Sequence, residues 1–341
     1  MLWTENASLL PFNTFGLDVR AARLAEYHDI NELTHILREL VKAFPAEPLL
    51  AVGQGSNLLF RGDYHGTVLH SQMKQISAYE AEDGSVMVRA QSGADWDAFV
   101  AHCIASGYYG LENLSLIPGT VGASAVQNIG AYGVEAEQFI ETVHAVRISD
   151  QSLHHFAHDE LAYAYRSSRF KTEWKGQYIV VAVDFRLHTQ FQPQIAYGGL
   201  AKVLHEDYAA VALTAERLRQ IVIDIRRKKL PEPSQIGSAG SFFMNPILTA
   251  DEFAALQNKY PAVPHYPLPN GGVKVPAAWL IEQAGWKGRR VGRAGVYDKQ
   301  ALVLVNHGGA TGDEIVRLSQ AIAAEVRAKF GIEIKPEVIF V

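Results

Sequence analysis

Apolar residues at three- and four-residue intervals predict an amphipathic helix near the start of the chain, over residues 31–40. The residues on its apolar face are Leu33, Ile36, Leu37 and Leu40. The continuous apolar run 48–52 follows and predicts a buried strand. Further along, residues 85–90 predict another strand, and residues 96–107 predict an amphipathic helix. The first third of the chain therefore mixes helices with strands.

The middle of the chain is rich in strand patterns, from about residue 142 to residue 187. A second long helix is predicted after Thr214, which is a good N-cap residue. The residues on its apolar face are Leu218, Ile221, Val222 and Ile225. The helix ends in the basic run 226–229, and two prolines follow within the next four residues. Prolines this close together predict a domain junction.

The last third of the chain predicts a separate set of helices and strands, beginning with a proline-rich loop at 261–276. Thr311 and Glu314 form a capping-box pattern at the start of a long helix, and Gly331 predicts its end. The residues on the inward face of this helix are Ile315, Leu318, Ile322 and Val326. A strand is predicted over 332–341.

Length and charge narrow the class of protein. The 341 residues suffice for two or three domains, and a hydrophobic content of 48% suffices for packed cores. The 36 acidic residues outnumber the 31 basic ones and give a formal net charge of −5, so no strongly basic surface is available for nucleic acid. No apolar run approaches ~18 residues, and the N-terminus lacks the features of a signal peptide. We therefore expect a cytoplasmic protein without nucleic-acid or membrane partners.

Cysteine and histidine give little sign of redox or metal chemistry. The single cysteine, Cys103, cannot form an internal disulfide, and its apolar neighbours predict a buried, inert position on a helix. The cluster His154, His155 and His158 has no cysteine or further ligand set beside it. We therefore expect a solvated loop at this cluster and no metal site.

Two glycine-rich segments give the first indication of a bound ligand. Gly53–Asn57 follows a strand, where glycines let backbone N–H groups approach phosphate oxygens. It lacks both the third glycine of a Rossmann turn and the Gly-Lys-Ser/Thr ending of a P-loop, so an ordinary turn stays open. The second segment, 118–133, holds four glycines and almost no bulk. It could lie flat against a planar ligand while its amides bind pyrophosphate, and a surface loop is the alternative.

Several segments, in order along nearly the whole chain, resemble the UDP-N-acetylenolpyruvoylglucosamine reductase (MurB) family. These segments are Asn13–Gly16, Gly53–Asn57, Gly110–Leu114, Ile117–Gly133, Tyr165–Lys171, Ala239–Phe243 and Pro336–Val338. Residues 195–200, which contain Tyr197, resemble the extended, tyrosine-bearing subtype of that family. Met244 stands where the family often has lysine, and Arg227 and Lys228 are more basic than usual, which leaves the fine positioning of a diphosphate open.

The resemblance implies an α+β fold: a vanillyl-alcohol-oxidase-like (PCMH-type) FAD-binding fold joined to a third α+β domain that binds substrate. It implies FAD-binding subdomains at 1–70, completed by the strand 332–341, and at 71–229, with the substrate-binding domain at 230–331. The family reaction is the NADPH-dependent reduction of UDP-N-acetylglucosamine enolpyruvate to UDP-N-acetylmuramate, with FAD bound non-covalently. We expect NADPH to be the co-substrate and the enzyme to be a monomer.

The resemblance also assigns site residues. Ser241 would donate a proton to the substrate enolate, which Arg166 and Glu337 would stabilise. The residues implied for FAD are Gly53, Gln54, Gly55, Ser56, Asn57, Pro118, Gly119, Gly122, Ala123, Ser124, Gln127, Asn128, Gly130 and Gly133. The residues implied for the substrate are Tyr132, Tyr197, Arg226, Lys229, Asn245 and Gln300.

Other interpretations of the same residues stay open. Ser241 lies in a Gly-Ser-Phe-Phe sequence that is typical of a turn or cap, and Arg166 and Glu337 are residue types that usually lie at the surface. Arg226 and Lys229 would also complement the dipole at the end of their helix. An alcohol oxidase or dehydrogenase of the same flavin fold, or a nucleotide-sugar-binding protein without turnover, would share the glycine segments. Neither alternative requires the trio of Arg166, Ser241 and Glu337.

Overall fold

The computed structural model describes residues 2–207 and 212–341. The chain divides into two compact units. The first unit comprises Met1–Ala7, Ala21–Gln54 and His65–Arg226, and the second unit comprises Ser8–Arg20, Gly55–Tyr64 and Arg227–Val341. The finer division into 1–70, 71–229 and 230–331 stays a prediction.

Both units contain helices and strands. The helices are α1 (Ile30–Ala43), α2 (Trp96–Ala105), α3 (Val121–Gln127), α4 (Gly198–Asp207), α5 (Ala215–Lys229), α6 (Ala250–Lys259), α7 (Ala277–Gln283) and α8 (Gly312–Phe330). The strands are β1 (Thr4–Ser8), β2 (Arg20–Tyr27), β3 (Leu49–Ala51), β4 (Leu58–Leu59), β5 (Tyr64–Ser71), β6 (Ile76–Glu80), β7 (Val86–Gln91), β8 (Gly130–Ala131), β9 (Val134–Glu135), β10 (Ile140–Arg147), β11 (Leu153–Ala157), β12 (Tyr178–Leu187), β13 (Gly237–Ser241), β14 (Ile247–Leu248), β15 (Tyr266–Pro267), β16 (Val273–Lys274), β17 (Arg290–Val291), β18 (Ala294–Val296), β19 (Val303–Asn306) and β20 (Ile339–Phe340).

The strands form sheets of two to five members. A four-stranded sheet has the order β1-β2-β5-β3, and a five-stranded antiparallel sheet has the order β11-β10-β12-β7-β6. The second unit contains the four-stranded sheet β13-β19-β18-β17 and the three-stranded sheet β14-β16-β15, so strands interrupt the predicted proline-rich loop. In the part of the chain that the structure describes, no helix is long and apolar enough to span a membrane.

Helix α1 confirms the pattern at the start of the chain. Asp29 accepts the N–H of Glu32 at 2.8 Å and so satisfies a donor in the first turn. The predicted apolar face is buried, with Leu33, Ile36, Leu37 and Leu40 inside. The prediction of a buried strand over 48–52 is wrong in its burial: β3 is an edge strand, its two leucines are half-buried and Ala51 is exposed. An edge strand has a neighbour on one side only, so it is less covered than the apolar run suggests.

The five-stranded sheet of the first unit packs one face against helix α2. Trp96 and Phe99 on the helix contact Phe185 on β12, with ring centroids 5.9 and 5.0 Å away. Cys103 lies in the same core, which confirms its predicted position. Burial raises the pKa of the Cys103 thiol, as suits a packing residue and not a nucleophile.

A polar ladder crosses this sheet. Arg89 on β7 donates to both carboxylate oxygens of Asp184 on β12, at 2.6 and 2.7 Å, and His144 on β10 is hydrogen-bonded to the same carboxylate at 2.9 Å. Burial raises the pKa of Asp184, but the bonds from Arg89 and His144 outweigh it and bring the pKa to about 2. His144 also contacts His155. His154 and His155 lie on β11, so the prediction of a loop is wrong for them, whereas the predicted solvent exposure is present at His155 and His158. Among the described residues, no group of His, Cys, Asp or Glu side chains is placed to hold a metal ion.

Helix α8 organises the second unit. The predicted capping box is present: Thr311 accepts the N–H of Glu314 at 3.2 Å, and the Glu314 carboxylate accepts the N–H of Thr311 at 2.7 Å. Gly331 ends the helix with a φ of +73°. The prediction of a terminal strand over 332–341 is wrong in its length. β20 covers only two residues, which pair in parallel with the two residues of β4.

Candidate active site

The two glycine-rich segments meet within the first unit. Gln54 accepts the N–H of Gly119 on Oε1 at 2.9 Å and donates from Nε2 to Asp95 at 2.6 Å. Gly53 packs against Thr120 so closely that a Cβ at Gly53 would lie 2.6 Å from the threonine hydroxyl oxygen. The structure thus brings together residues that the sequence placed in two separate segments.

The second glycine-rich segment is partly helical, so it is not the surface loop that the sequence left open as an alternative. Helix α3 follows Thr120 and ends at Gln127, and the next residue, Asn128, is left-handed with a φ of +48°. Gly122 lies on α3, its N–H donates to the Ser92 carbonyl at 3.0 Å, and a Cβ at Gly122 would lie 2.7 Å from the Ser92 Cβ. Close packing of the helix therefore accounts for part of the missing bulk, which the sequence pattern alone attributed to a planar ligand.

Two amide side chains assigned to FAD are engaged within the first unit. Gln127 accepts a hydrogen bond from the Lys171 ammonium at 2.6 Å. Asn128 is buried, donates to the Glu135 carboxylate at 2.9 Å and accepts the N–H of Glu137 at 3.1 Å. Their assignment to FAD stays a prediction, and for Asn128 it would rest on the backbone, since both ends of the amide are used.

The side chain of Arg166 contacts the second glycine-rich segment, 118–133. Its Nη2 donates to the Gly130 carbonyl at 2.6 Å and its Nη1 to the Asn128 carbonyl at 3.3 Å. The Arg166 backbone is itself left-handed, with a φ of +57°, and its carbonyl accepts a bond from Lys171 at 2.8 Å. An uncommon backbone conformation held by several contacts is typical of functional residues. The arginine is half-buried.

Three residues assigned to the substrate come together in the first unit. The rings of Tyr132 and Tyr197 meet edge to face, with centroids 6.0 Å apart and planes at 89°. Tyr132 is hydrogen-bonded to Arg226, and the Arg226 Nε donates to the Leu116 carbonyl at 3.2 Å. Two aromatic rings beside a guanidinium could bind a base or sugar together with a phosphate.

Sequence reasoning missed the residue that joins these two aromatic segments. Asn113 is buried, and its amide donates to the carbonyl of Tyr132 at 3.0 Å and to the carbonyl of Gln194 at 2.8 Å. Gln194 lies three residues before Tyr197. The signal was available, because Asn113 lies in the segment Gly110–Leu114 that carried part of the resemblance.

In the second unit, the segment 55–57 contacts the C-terminal segment of the chain through Asn57. Gly55 has a φ of +65°, and a Cβ there would lie 1.9 Å from the Phe12 carbonyl oxygen. Asn57 donates to the Glu337 carbonyl at 3.3 Å, and the Asn57 carbonyl accepts the N–H of Ile339 at 3.0 Å. Ser56 lies between them and is half-buried. These contacts are structural, and a role in FAD binding stays a prediction for all three residues.

Ser241 and Glu337 lie on neighbouring stretches of backbone in the second unit. Ser241 is the exposed last residue of β13, so it belongs to a strand end and not to an isolated turn. The N–H of Glu337 donates to the carbonyl of Phe242 at 2.8 Å, and Phe243 forms a β-bridge with Pro336. Glu337 is half-buried. The backbone segments that carry two of the three proposed catalytic residues, about 100 positions apart in the chain, are therefore neighbours.

The segment Asn13–Gly16 explains how β13 is fixed. The Thr14 hydroxyl donates to the Ser238 carbonyl at 2.6 Å, and the Asn306 amide donates to the Phe15 carbonyl at 2.9 Å. A Cβ at Gly237 would lie 2.0 Å from that same Phe15 oxygen. This N-terminal motif therefore supports the strand that ends in the candidate proton donor.

The remaining substrate residues of the second unit lie on three different elements or loops. Lys229 is exposed at the end of α5. Asn245 accepts the N–H of Ala277 at 2.9 Å at the start of α7, and Gln300 accepts the N–H of Leu302 at 3.3 Å. These contacts fix local structure, and the roles of the three residues in substrate binding stay predictions.

The residues around the two adjoining segments fit an anionic dinucleotide such as FAD. Gly53 has no side chain, and the groups beside it are the amide of Gln54 and the hydroxyl of Thr120. The nearby carboxylate of Asp95 is bonded to Gln54, which reduces its repulsion of a phosphate. Backbone amides and neutral polar side chains are the groups that cradle a pyrophosphate.

Comparison with known proteins gives two matching family models. Residues 21–153 match an FAD binding domain, and residues 232–341 match the C-terminal domain of UDP-N-acetylenolpyruvoylglucosamine reductase. The chain is 46% identical over 329 residues to a protein of that name from Porphyromonas gingivalis, covering 96% of each sequence. It is 47% identical over 337 residues to one from Bacteroides fragilis, covering 99% of each.

Among solved structures, the chain is similar to UDP-N-acetylenolpyruvylglucosamine reductase (MurB) from Thermus caldophilus. The TM-score is 0.67 at 21% identity, and the match covers 98% of this chain and 97% of that one. Together with the FAD-binding match, this likeness confirms an α+β FAD-binding fold with a further domain at its C-terminal end. The vanillyl-alcohol-oxidase type of that fold stays a prediction.

Proposed function

The chain belongs to the UDP-N-acetylenolpyruvoylglucosamine reductase family of FAD-dependent oxidoreductases, and from this premise we propose that it uses NADPH to reduce UDP-N-acetylglucosamine enolpyruvate. The product is UDP-N-acetylmuramate, a precursor of peptidoglycan. A monomeric state and a cytoplasmic location are part of the same proposal.

The adjacency of the two backbone segments that hold Ser241 and Glu337 carries this proposal. A reduction of the enolpyruvyl double bond leaves an enolate that must gain a proton at carbon, so the site needs an acid. The backbone bond from Glu337 to Phe242 places a carboxyl group next to the segment that holds a serine hydroxyl. An alcohol oxidase has no use for a proton donor at this position.

Ser241 acts as the proton donor in this proposal. A serine hydroxyl is a weak acid, but a carbanion-like enolate is basic enough to take its proton, so no large pKa change is required. The exposed position of Ser241 at the end of β13 supports the role, because a substrate can reach the hydroxyl there.

Arg166 and Glu337 stabilise the enolate in this proposal. Negative charge grows on the substrate carboxylate as the enolate forms, and preorganised donors favour that charge. The bonds from Arg166 to the Asn128 and Gly130 carbonyls fix the guanidinium before substrate arrives. Fixing the group in advance avoids its reorganisation during the reaction.

Arg226 and Lys229, both near the end of α5, bind the substrate diphosphate in this proposal. Arginine and lysine are the usual partners of phosphate, as a bidentate fork and as a point charge respectively. Tyr132 and Tyr197 line the approach beside Arg226 and contact the nucleotide or sugar. Asn245 and Gln300 complete the substrate contacts.

FAD, when bound, supplies the hydride chemistry that links NADPH to the substrate. The residues proposed to hold it are Gly53, Gln54, Gly55, Ser56, Asn57, Pro118, Gly119, Gly122, Ala123, Ser124, Gln127, Asn128, Gly130 and Gly133. Binding is proposed to be non-covalent, as the resemblance to the family implies.

A turnover experiment tests the proposal. Purified protein is mixed with NADPH and UDP-N-acetylglucosamine enolpyruvate, and the molecular mass of the product is measured by mass spectrometry. We expect stoichiometric NADPH oxidation and a product two hydrogen atoms heavier than the substrate. Oxygen consumption with simple alcohols would favour the oxidase alternative. Tight substrate binding without NADPH oxidation would favour the non-catalytic nucleotide-sugar-binding protein.

A further inference from the structure

Helix α5 presents two arginines on one face. Arg219 and Arg226 are seven residues apart, which is close to two full helical turns, so their side chains leave the helix in almost the same direction. The proposed function gives a role only to Arg226. Arg219 is mostly buried, with 16% of its side chain exposed.

The carboxylate of Asp97, in the first turn of α2, accepts hydrogen bonds from the Arg219 side chain and from the backbone of Leu116. Arg219 donates to the two carboxylate oxygens of Asp97 at 2.6 and 2.9 Å, in the bidentate geometry of strong ion pairs. The N–H of Leu116 donates to the same carboxylate. Burial raises the pKa of Asp97, but the bonds from Arg219 and Leu116 outweigh it and hold the pKa below its ordinary value.

Leu116 joins this ion pair to Arg226. Its φ of +58° is left-handed, a costly conformation for a branched residue that must be held by its surroundings. The Leu116 N–H faces Asp97, and its carbonyl accepts the Nε of Arg226 at 3.2 Å. One peptide segment thus connects the Asp97–Arg219 pair to the guanidinium assigned to the diphosphate.

The side chains of Tyr132 and Asp97 also influence the pKa of Arg226. Burial lowers the pKa of Arg226, and its hydrogen bond with Tyr132 and the attraction of the Asp97 carboxylate oppose that effect. Removing Asp97 or misplacing it would therefore leave a half-buried guanidinium with less compensation.

We propose that the Asp97–Arg219 ion pair is a positioning device for Arg226: it fixes Leu116 in its left-handed conformation, and the Leu116 carbonyl fixes the guanidinium toward a nucleoside diphosphate. This inference rests on the proposed function, because it assumes that Arg226 binds the diphosphate of the substrate. Arg219 and Asp97 touch no substrate themselves and act through Arg226.

Binding of UDP, measured by calorimetry on the purified holoenzyme, tests the proposal. The variants are Arg219→Met, Arg226→Met and the double variant. Arg217→Met is the matched control, since Arg217 is an exposed arginine on the same helix and its loss removes the same charge. We expect Arg219→Met to weaken UDP binding by about three- to tenfold and Arg217→Met to change it by less than about twofold. Arg219→Lys should restore part of the loss.

The double variant separates positioning from general damage. If Arg219 acts through Arg226, removing both should weaken UDP binding little more than removing Arg226 alone. Independent, multiplying losses would overturn the proposal, and so would an Arg219→Met protein that binds UDP like the control. Asp97→Asn, which keeps the size and an acceptor for the Leu116 N–H, provides a second route if Arg219→Met folds poorly, and an unchanged affinity there would also overturn it.

The proposed function fails in a different way. A wild-type protein that does not bind UDP, or an Arg226→Met variant that binds it normally, would remove the diphosphate assignment and the positioning role with it. If Arg226→Met weakens UDP binding as expected and Arg219→Met leaves the UDP affinity unchanged, only the positioning role is overturned.

Discussion

The guanidinium of Arg166 donates a hydrogen bond across 2.6 Å to the carbonyl oxygen of Gly130. A Cβ added at Gly130 would lie 2.9 Å from Arg166 Nη1, and equally close to the Glu135 Cγ and the Val134 carbonyl oxygen. Gly130 was assigned to FAD by resemblance. The contacts of Gly130 indicate a second role: because glycine has no side chain, it leaves the space that the Arg166 guanidinium occupies.

Gly130→Ala should therefore impair the enolate-stabilising arginine. The new methyl group would push the guanidinium away from its carbonyl partners, and displacing a preorganised group by about 1 Å can cost about 10²-fold in rate. We expect kcat/KM for the enolpyruvyl substrate to fall by about ten- to a hundredfold, with at least half of the flavin retained. Gly62→Ala is the control, since nothing lies within 4 Å of a Cβ at that position. Equal activity of the two variants would contradict this account of Gly130.

Substitutions of Glu337 test whether it works as a hydrogen-bond donor or as a charge. A negative carboxylate beside the growing negative charge of the enolate would be costly, so we expect Glu337 to serve as a hydrogen-bond donor to the substrate and not as a charge. Glu337→Gln should then lose modest activity and Glu337→Asp more, because aspartate withdraws the group. If glutamine proves as harmful as alanine, the charged role is correct. Glu333→Gln, an exposed acid on the same segment, is the control.

Lys229→Ala should weaken UDP-sugar binding more than it slows flavin reduction by NADPH. Losing a lysine contact to a diphosphate should cost about tenfold in affinity. The loss should shrink as salt rises, because screening weakens exposed charge pairs. Lys228→Ala removes an equal charge from the adjacent exposed position. Equal affinities of the two variants at several salt concentrations would favour the helix-dipole interpretation of this lysine.

The sequence predicted long elements well and short ones poorly. Helix α1 and helix α8 were visible because a periodic apolar face and local caps are both encoded within a few turns. Helix α3 was not visible, because its small residues show no apolar period, and β20 was overestimated because only tertiary pairing with β4 decides its length.

The candidate site shows the same limit. Resemblance named Ser241 and Glu337, but their closeness depends on a backbone bond between distant segments. Asn113 was missed as a site residue because a buried amide that bonds two carbonyls looks in sequence like any other asparagine. The Asp97–Arg219 pair was missed for a similar reason, since neither residue lies in a glycine-rich or catalytic motif.

Asp184→Asn should remove a pH-dependent part of the stability of the first unit. A carboxyl group whose pKa is about 2 in the fold and 3.8 otherwise contributes stability that is fully present above the ordinary pKa and is lost as pH falls through the lower one. The contribution is about 2 kcal/mol. Urea unfolding between about pH 5 and about pH 3 should show the gap between wild type and variant narrowing as pH falls. Asp159→Asn, at an exposed position, should show no such narrowing, and a constant gap for Asp184→Asn would contradict the role of the ladder.

The proton-donating role of Ser241 is tested most directly by rapid mixing of Ser241→Ala and wild type in two separate half-reactions. NADPH should reduce the flavin of both proteins at similar rates, because that step takes no proton from Ser241. Reoxidation of the reduced proteins by UDP-N-acetylglucosamine enolpyruvate should be slower in the variant by about 10²-fold or more, the usual scale for loss of a positioned acid. Equal reoxidation rates in the two proteins, or equal losses in both half-reactions, would contradict the assignment of Ser241 as the proton donor.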